Sequence, residues 1–505
     1  MAINPEEIVV GKEQKKLYGY QKQAIDKIFE RIDKFPTNFN LLFQLPTGGG
    51  KTVIFSELTK RYIEKTKKRV LILTHRIELC GQTSRMLEEL GVKNKIIDSK
   101  VKELPEKEEF MCFVAMVETL NNRLNEERID MEDVGMLIVD EAHYNSFRKL
   151  FKYFSSQIIL GVTATPLSSN VKLPLKDNYN ELIVGESIET LIELGYLAKG
   201  TTYNYDVNLK SLKVGINGDY TVSSSEKLYS NFLMQEKLLY AYEEKAKGTK
   251  TLIFNNGINT SVSVYEMFKE EGYEIRHLDN THSEKERAEI LKWFKEKPDA
   301  ILSSVSILTT GFDEPTVETI ILNRATKSLT LYHQMIGRGS RILANKKKFN
   351  ILDLGNNARR FGLWESYVDW QNIFKNPTTY LDGLYSDEEI ERQFKYVLPD
   401  DIKAKFPKST FEPFDIKEEY LKSMDKGERP IEAINRSMAA HKKVILENAG
   451  DIFDALEMAE FFDKEIEYRV KKFSYCISKS TKNYLNWMQE DYMRKLKQQL
   501  RQEMD

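Results

Sequence analysis

Two separate series of short apolar runs, each run followed by a helix-like stretch, restrict this chain more than any other feature. The first series is NLLFQL (40–45), VLILT (70–74), FMCFVAM (110–116), MLIVD (136–140) and IILGVTA (158–164). The second is TLIFNN (251–256), YEIRHLD (273–279), AILSSV (300–305), TIILNR (319–324) and FNILDL (349–354). Near-continuous apolar runs alternating with helical patterns read as parallel strands covered by helices. A chain of 505 residues is too long for one hydrophobic core. The two series therefore predict two α/β lobes.

Between the series, residues 166–239 are mixed in pattern, and VGINGDYTVSSSE suggests a hairpin or loop. After Gln371 the strand signal fades and apolar positions recur at helical spacing, as in YLNWMQEDYMRKLKQQLRQEM. The expected organisation is a first lobe over 1–185, a connecting segment over 186–240, a second lobe over 241–370 and a mainly helical domain over 371–505. Hydrophobic residues at 41% and charged residues at 30% are the composition of a folded chain. The opening MAINPEEIVVGKEQKK lacks a signal-peptide core, and no run of eighteen apolar residues follows. A soluble protein without membrane contact is expected. Cys80, Cys112 and Cys476 lie far apart, without a CxxC pair. They predict buried thiols and no cysteine zinc site, and lone His277 and His282 are expected to be packing or surface residues. A net charge of −2 does not announce a nucleic-acid binder, but global charge is silent about a local basic groove.

LPTGGGKT (45–52) follows the strand NLLFQL and precedes the helix-like TVIFSELTKRYIEK, the context that a phosphate-binding loop requires. Pro46 and Thr47 open the loop. Gly48, Gly49 and Gly50 let backbone amides approach phosphates, Lys51 supplies positive charge to the β- and γ-phosphates, and Thr52 offers a hydroxyl to Mg²⁺. Asp140 and Glu141 end the strand MLIVD, where ligands bind in open α/β sheets. There Asp140 is expected to hold Mg²⁺ through water and Glu141 to orient and deprotonate an attacking water. ATP and Mg²⁺ are the expected ligands. An acidic strand end alone is more often a solvated turn. The upstream loop is what gives the pair its chemistry.

With these two motifs in order, the chain resembles the superfamily 2 helicases and translocases, built on two tandem RecA-like lobes. The resemblance covers residues 16–370 and implies roles for further residues. Tyr20 and Gln21 in LYGYQKQAI resemble the adenine-reading segment, although Tyr18 and Gly19 replace the commoner Arg-Pro. Thr163 and Thr165 of TATP, with His143 of DEAH, resemble the groups coupling hydrolysis to lobe movement. TTGFDEPTV (309–317) places Gly311 and Asp313 on the nucleotide side. QMIGRGSR (334–341) resembles the arginine-finger helix, with Gln334, Arg338 and Arg341 as catalytic members facing charge in the transition state.

The same resemblance implies a strand track through Thr74, His75, Arg76, Thr119, Thr309 and Thr310, contacting phosphates without reading sequence. DEAH with TATP, GFDEP and QMIGRGSR is closer to the DNA-acting branch than to RNA helicases, and nearest to RadD-like bacterial and UvsW-like phage helicases. That implies an ATP-dependent DNA motor in the cytoplasm of a bacterial or phage-infected cell. The alternatives are an RNA helicase and a motor subunit of a restriction or defence assembly. RadD-like proteins often carry a cysteine-rich zinc segment that this chain lacks. The tail reads as amphipathic helices forming a core or receiving a protein partner. Lys471, Lys472, Lys479 and Lys482 near Tyr475 and Tyr484 suggest either a strand-binding surface or a solvated face.

Overall fold

The computed structural model describes residues 17–98, 101, 109–126, 133–305, 308–309, 311–394, 396–411, 414–477 and 481–504. The first sheet contains β1 (Phe39–Gln44), β2 (Arg69–Thr74), β3 (Asn94–Ile97), β4 (Cys112–Met116), β5 (Val134–Asp140), β6 (Ile158–Thr163) and β7 (Glu181–Val184), in the order β3-β4-β2-β5-β6-β1-β7. The second contains β8 (Lys199–Asn204), β9 (Thr251–Asn255), β10 (Ile275–Leu278), β11 (Ile301–Val305), β12 (Thr319–Asn323) and β13 (Lys348–Asp353), in the order β10-β11-β9-β12-β13-β8. Every ladder between these strands is parallel. The central β2, β5, β6, β9 and β12 are buried along their whole length, which is why they read as unbroken apolar runs. Two RecA-like lobes are thus present. Register sets Gln44 beside Thr163 and Asp140 beside Val162, so the loops leaving β1, β5 and β6 emerge together at one sheet edge.

Residues 186–240, expected as a connector, contribute β8 to the second sheet, paired with β13. The strand KGTTYN is polar because it lies at the edge, and so it carries no apolar signature. The VGINGDY segment closes as a hairpin through a bridge between Val214 and Tyr220, with Gly218 at φ +82° in its turn. The helix Trp370–Lys375, expected to open the helical domain, instead returns to the first lobe, and the helix Pro377–Asp382 follows it. Phe374 joins the apolar cluster of Leu182, Tyr179 and Leu175, and Gln371 Nε2 donates to Leu182 O at 2.8 Å. Burying a phenylalanine there contributes about 1.5–3 kcal/mol.

The chain divides into two compact units between Ser386 and Asp387. The second unit is helical. Ile445, Ile466, Val470, Phe473, Leu496 and Leu500 form its core from the helices Glu432–Asn448, Asp463–Cys476 and Lys482–Met504. At its centre Tyr492 Oη lies 2.9 Å from both Ser437 Oγ and His441 Nδ1. Lys471 and Tyr475, considered for a strand-binding surface, both engage Glu391 within this unit. Lys472 donates to Arg392 O. Lys479 and the side chain of Lys482 lie outside the described residues. No helix among the described residues is long and apolar enough to cross a membrane.

Candidate nucleotide site

The loop after β1 is shaped by glycines that no other residue replaces cheaply. Gly48 at φ +91° and Gly50 at φ +84° sit in the left-handed region, and Gly50 directly precedes the helix Lys51–Thr66. Gly49 N donates to Pro46 O at 3.0 Å, which closes the turn. Tyr20 Oη donates to Gly49 O at 2.8 Å, and burial pushes its pKa up to about 12. A Cβ on Gly50 would stand 2.6 Å from Gln21 Nε2, so Gln21 lies directly over the loop. Gln21 Oε1 also accepts from Tyr18 N at 3.0 Å, fixing the start of its own helix. Lys51 Nζ is 3.4 Å from Leu45 O. Burial pulls the Lys51 pKa down, while Glu141 and Asp140 work to raise it. Thr52 follows in the same helical turn.

Asp140 is the last residue of β5, and Glu141 leaves the strand at φ +53°. A left-handed glutamate costs about 1–2 kcal/mol, and the Asp140 carboxylate offsets part of it by accepting the Glu141 amide at 3.0 Å. Burial, then the Glu141 charge, raises the Asp140 pKa to about 7. Burial also works to raise Glu141, but Lys51, His143 and His75 outweigh it and hold Glu141 below the ordinary carboxylate value. Glu141 is therefore the charged member of the pair at neutral pH. His143 Nδ1 is 3.3 Å from Glu141 Oε2 and 3.0 Å from Thr163 Oγ1. The Thr163 hydroxyl donates to Thr165 O at 3.0 Å, so its one hydrogen is committed and His143 Nδ1 is the donor between them.

The chain of contacts continues across the cleft, where Thr165 Oγ1 donates to Thr330 Oγ1 at 2.8 Å on the helix Leu329–Ile336. The lobes touch closely here. A Cβ on Gly48 would meet Leu197 Cδ2 at 2.8 Å, Ser340 Oγ at 2.9 Å and Arg341 Nη1 at 3.2 Å, and one on Gly337 would meet Thr47 Cβ at 2.6 Å. Arg338 Nε and Nη2 donate to Thr309 O at 3.1 and 2.7 Å, and its Nη1 donates to Phe312 O at 2.5 Å. Burial, then Arg341, lowers the Arg338 pKa to about 10, so it keeps its charge at neutral pH. Arg341 Nε donates to Asp313 Oδ1 at 2.7 Å. Gln334 is buried, with its Nε2 unpaired.

Comparisons with known proteins match two segments of the chain. The family described as "Type III restriction enzyme, res subunit" matches residues 14–168, and "Helicase conserved C-terminal domain" matches 231–343. The chain is a helicase-type ATPase of superfamily 2. A 51.5 kDa protein of a Lactococcus phage is 28% identical over 338 residues, covering 66% of this chain and 70% of that protein. IRC3 of Saccharomyces cerevisiae, an ATP-dependent helicase by name, is 29% identical over 357 residues, covering 67% of this chain. The alignment spans about half of IRC3, at 51%. Among solved structures, a fragment of an HsdR subunit of a type I restriction enzyme from Vibrio vulnificus matches with a TM-score of 0.53 at 19% identity. It covers 71% of this chain and 69% of that one, and it shows the shared fold.

The helicase-type ATPase has a donor set that fits a nucleotide and its magnesium ion. Thr47 Oγ1, Glu141 Oε2 and Gln334 Nε2 are buried without hydrogen-bond partners around Lys51, Asp140 and the glycine loop. Unpaired buried polar atoms cost about 1–3 kcal/mol each, a cost that a polar ligand offsets.

The residues expected along a strand are placed unevenly. Thr74 is fully buried, with its hydroxyl donating to Arg76 O at 3.1 Å and 3.0 Å from Cys80 Sγ, so it shapes the turn into the helix Ile77–Glu89 and is not presented to a polymer. The His75 ring packs at a tilt against Tyr144, with centroids 4.3 Å apart, and Tyr144 packs likewise against His143 at 4.3 Å, which sets His75 beside the acidic pair. Burial lowers the His75 pKa to about 4. Arg76 begins the helix Ile77–Glu89, and Thr119 is half-buried on the helix Val117–Asn125. Thr309 is buried and its carbonyl holds Arg338. Thr310 lies outside the described residues. Gly311, at φ +77°, accepts from Gln82 Nε2 at 2.5 Å across the cleft. Sequence reasoning missed Tyr144, Leu197, Thr330 and Ser340. Ser340 lies within QMIGRGSR but has no role that the motif announces, and Tyr144, Leu197 and Thr330 lie outside the motifs, so only the folded packing singles them out.

Proposed function

We propose that this ATPase is a DNA translocase or helicase, DEAH-type and akin to RadD-like and UvsW-like proteins, that couples ATP hydrolysis to movement along one strand. The observation carrying the proposal is the division of one site between two lobes. The glycine loop, Lys51 and Glu141 lie on the first, and Gln334, Arg338 and Arg341 on the second, with Thr165 bonded to Thr330 between them. A reaction that needs both halves is controlled by lobe closure. Lys51 and the loop amides bind the β- and γ-phosphates of ATP. Thr52 and Asp140 would hold Mg²⁺, which supplies neutralisation of phosphate charge. Glu141, charged and with Oε2 making no hydrogen bond, takes a proton from the attacking water as its oxygen bonds to the γ-phosphorus and the bond to ADP breaks. Arg341 stabilises the charge spread over the transferring group. Arg76, Thr119 and the loop 309–313 contact the strand, and DNA is preferred over RNA.

The family description naming a restriction enzyme subunit supports a second reading, a motor within a restriction assembly that does not unwind alone. ATP hydrolysis is measured without polymer and with single-stranded DNA, forked DNA and RNA, using Glu141→Gln as the blank. DNA stimulation that is lost in the variant is expected. Stimulation by RNA alone would reassign the polymer. Stimulation by DNA without strand separation on forks selects the second reading, and no stimulation by any polymer overturns the autonomous motor.

A further inference from the structure

His277 and His282 were expected to be packing or surface residues, yet the end of β10 brings them together with Asp279. One ligand atom from each lies within 4.8 Å of the other two. His277 Nε2 is 3.0 Å from Asp279 Oδ2, and His282 Nδ1 is 3.2 Å from Asp279 Oδ1. Metal bonds of about 2.0–2.1 Å set neighbouring ligand atoms roughly 3.0–3.4 Å apart, and the spacing between His277 Nε2 and Asp279 Oδ2 already matches.

The hydrogen atoms around the cluster can be assigned. Ser303 Oγ donates to Ser261 O at 3.1 Å, which commits its hydrogen. Ser261 Oγ, 2.7 Å from Ser303 Oγ, must then donate to it, so His277 Nδ1, at 2.8 Å from Ser261 Oγ, must carry the proton between them. In a neutral ring this leaves the lone pair on Nε2, aimed at the Asp279 carboxylate. His282 Nδ1 accepts a long bond of 3.3 Å from Asp279 N and so also bears a lone pair. Asp279 Oδ1 is occupied by the amide and hydroxyl of Thr281 at 2.7 and 2.6 Å, while Oδ2 faces His277 Nε2 at 3.0 Å. A buried carboxylate and two imidazole lone pairs thus converge. A cation joins such groups, and the Ser261–Ser303 pair already orients His277 as outer-shell partners orient metal-bound histidines.

We propose that His277, Asp279 and His282 bind one divalent ion of the zinc class, through Nε2, Oδ2 and Nδ1, with water completing the coordination. Imidazole with one carboxylate suits zinc and its neighbours, whereas magnesium favours oxygen ligands. The His277 and His282 side chains remain 13% and 22% exposed, leaving a path for the ion and its water. The bound ion braces the loop into the helix Glu284–Glu296, whose Arg287 Nη1 pairs with Glu78 Oε1 of the first lobe at 2.9 Å.

The test uses the full chain, stripped with chelator and titrated with zinc in competition with a chromogenic chelator. One zinc per chain is expected, undisturbed by millimolar magnesium. In His277→Ala/His282→Ala its affinity falls by about 100-fold or more, and zinc raises the Tm of the wild type but not of the variant. Should the double variant fail to fold, cobalt added to wild type and to His282→Ala gives the answer. Visible ligand-field bands in the wild type that change in the single variant support the site. No zinc above the stripped blank, equal zinc in wild type and variant, or cobalt spectra that do not differ overturns it.

Discussion

The hydroxyl contact between Thr165 and Thr330 is the most direct test that the two lobes act as one site. Both residues accept valine without a change of shape. Thr330→Val removes the acceptor and strands the Thr165 hydroxyl, whose residue is only 1% exposed. Stranding a buried donor costs about 1–3 kcal/mol, or roughly 5- to 150-fold. Thr165→Val leaves the hydroxyl of half-buried Thr330 to water, so only the net bond is lost, about 0.5–1.5 kcal/mol or roughly 2- to 12-fold. The double variant strands nothing and should resemble Thr165→Val. The expected order of kcat/KM for polymer-stimulated hydrolysis is therefore wild type, then Thr165→Val and the double variant together, then Thr330→Val. Additive losses, or a Thr330→Val within twofold of wild type, refute the reasoning.

Three further outcomes are expected. The Asp140 pKa rises from an ordinary 3.8 to about 7 on folding, so the folded state binds the extra proton between those values. Its contribution to stability is present below pH 4 and lost as pH rises through 7. Asp140→Asn should therefore gain stability relative to wild type from pH 5 to pH 8 in melts without nucleotide or Mg²⁺, and a gap that shrinks would contradict it. Arg287→Ala, breaking a half-exposed cross-cleft pair, should change ATPase kcat/KM by no more than about fivefold, equivalent to about 1 kcal/mol, and less in high salt. A larger effect that resists salt would show that the pair does more. Tyr492→Phe leaves Ser437 and His441 short of a partner and should destabilise the helical unit by about 1–3 kcal/mol in urea unfolding, with ATP affinity unchanged.

The interior of both sheets was legible because burial on both faces forces continuous apolar runs. Each of the ten runs corresponds to a strand. The three strands without a run, β3, β7 and β8, are the short or polar ones at sheet edges, where one ladder side needs no partner. Within the site, the local motifs were legible: LPTGGGKT and DEAH carry their chemistry in consecutive residues. What the sequence hid was contact between segments far apart. Thr74 follows a strand as a strand-contacting residue should, but its burial under Cys80 depends on how the next helix packs. His277 and His282 are five residues apart and become a cluster with Asp279 only because β10 ends and the chain turns back.

The two arginines of QMIGRGSR differ in what holds them, and the difference decides their parts in the proposed cycle. Arg341 is held by one exposed pair with Asp313, worth about 0.2–1 kcal/mol. A phosphate oxygen, offering a stronger charge in a drier cleft, displaces Asp313 readily. Arg338 is buried and makes three charge-assisted bonds to Thr309 and Phe312 carbonyls, each worth about 1.5–3 kcal/mol. Exchanging those for a phosphate would cost about as much as it returned. In the proposed cycle Arg341 is therefore the group that changes partner, while Arg338 keeps its bonds and ties the turn after the helix Leu329–Ile336 to Thr309 and Phe312. The loop 309–313 is one of the proposed strand contacts. In that proposal a polymer that shifts Thr309 or Phe312 also shifts Arg338 in the turn after the helix Leu329–Ile336, three residues before Arg341, so strand binding reaches the nucleotide site through this guanidinium as well as through lobe closure.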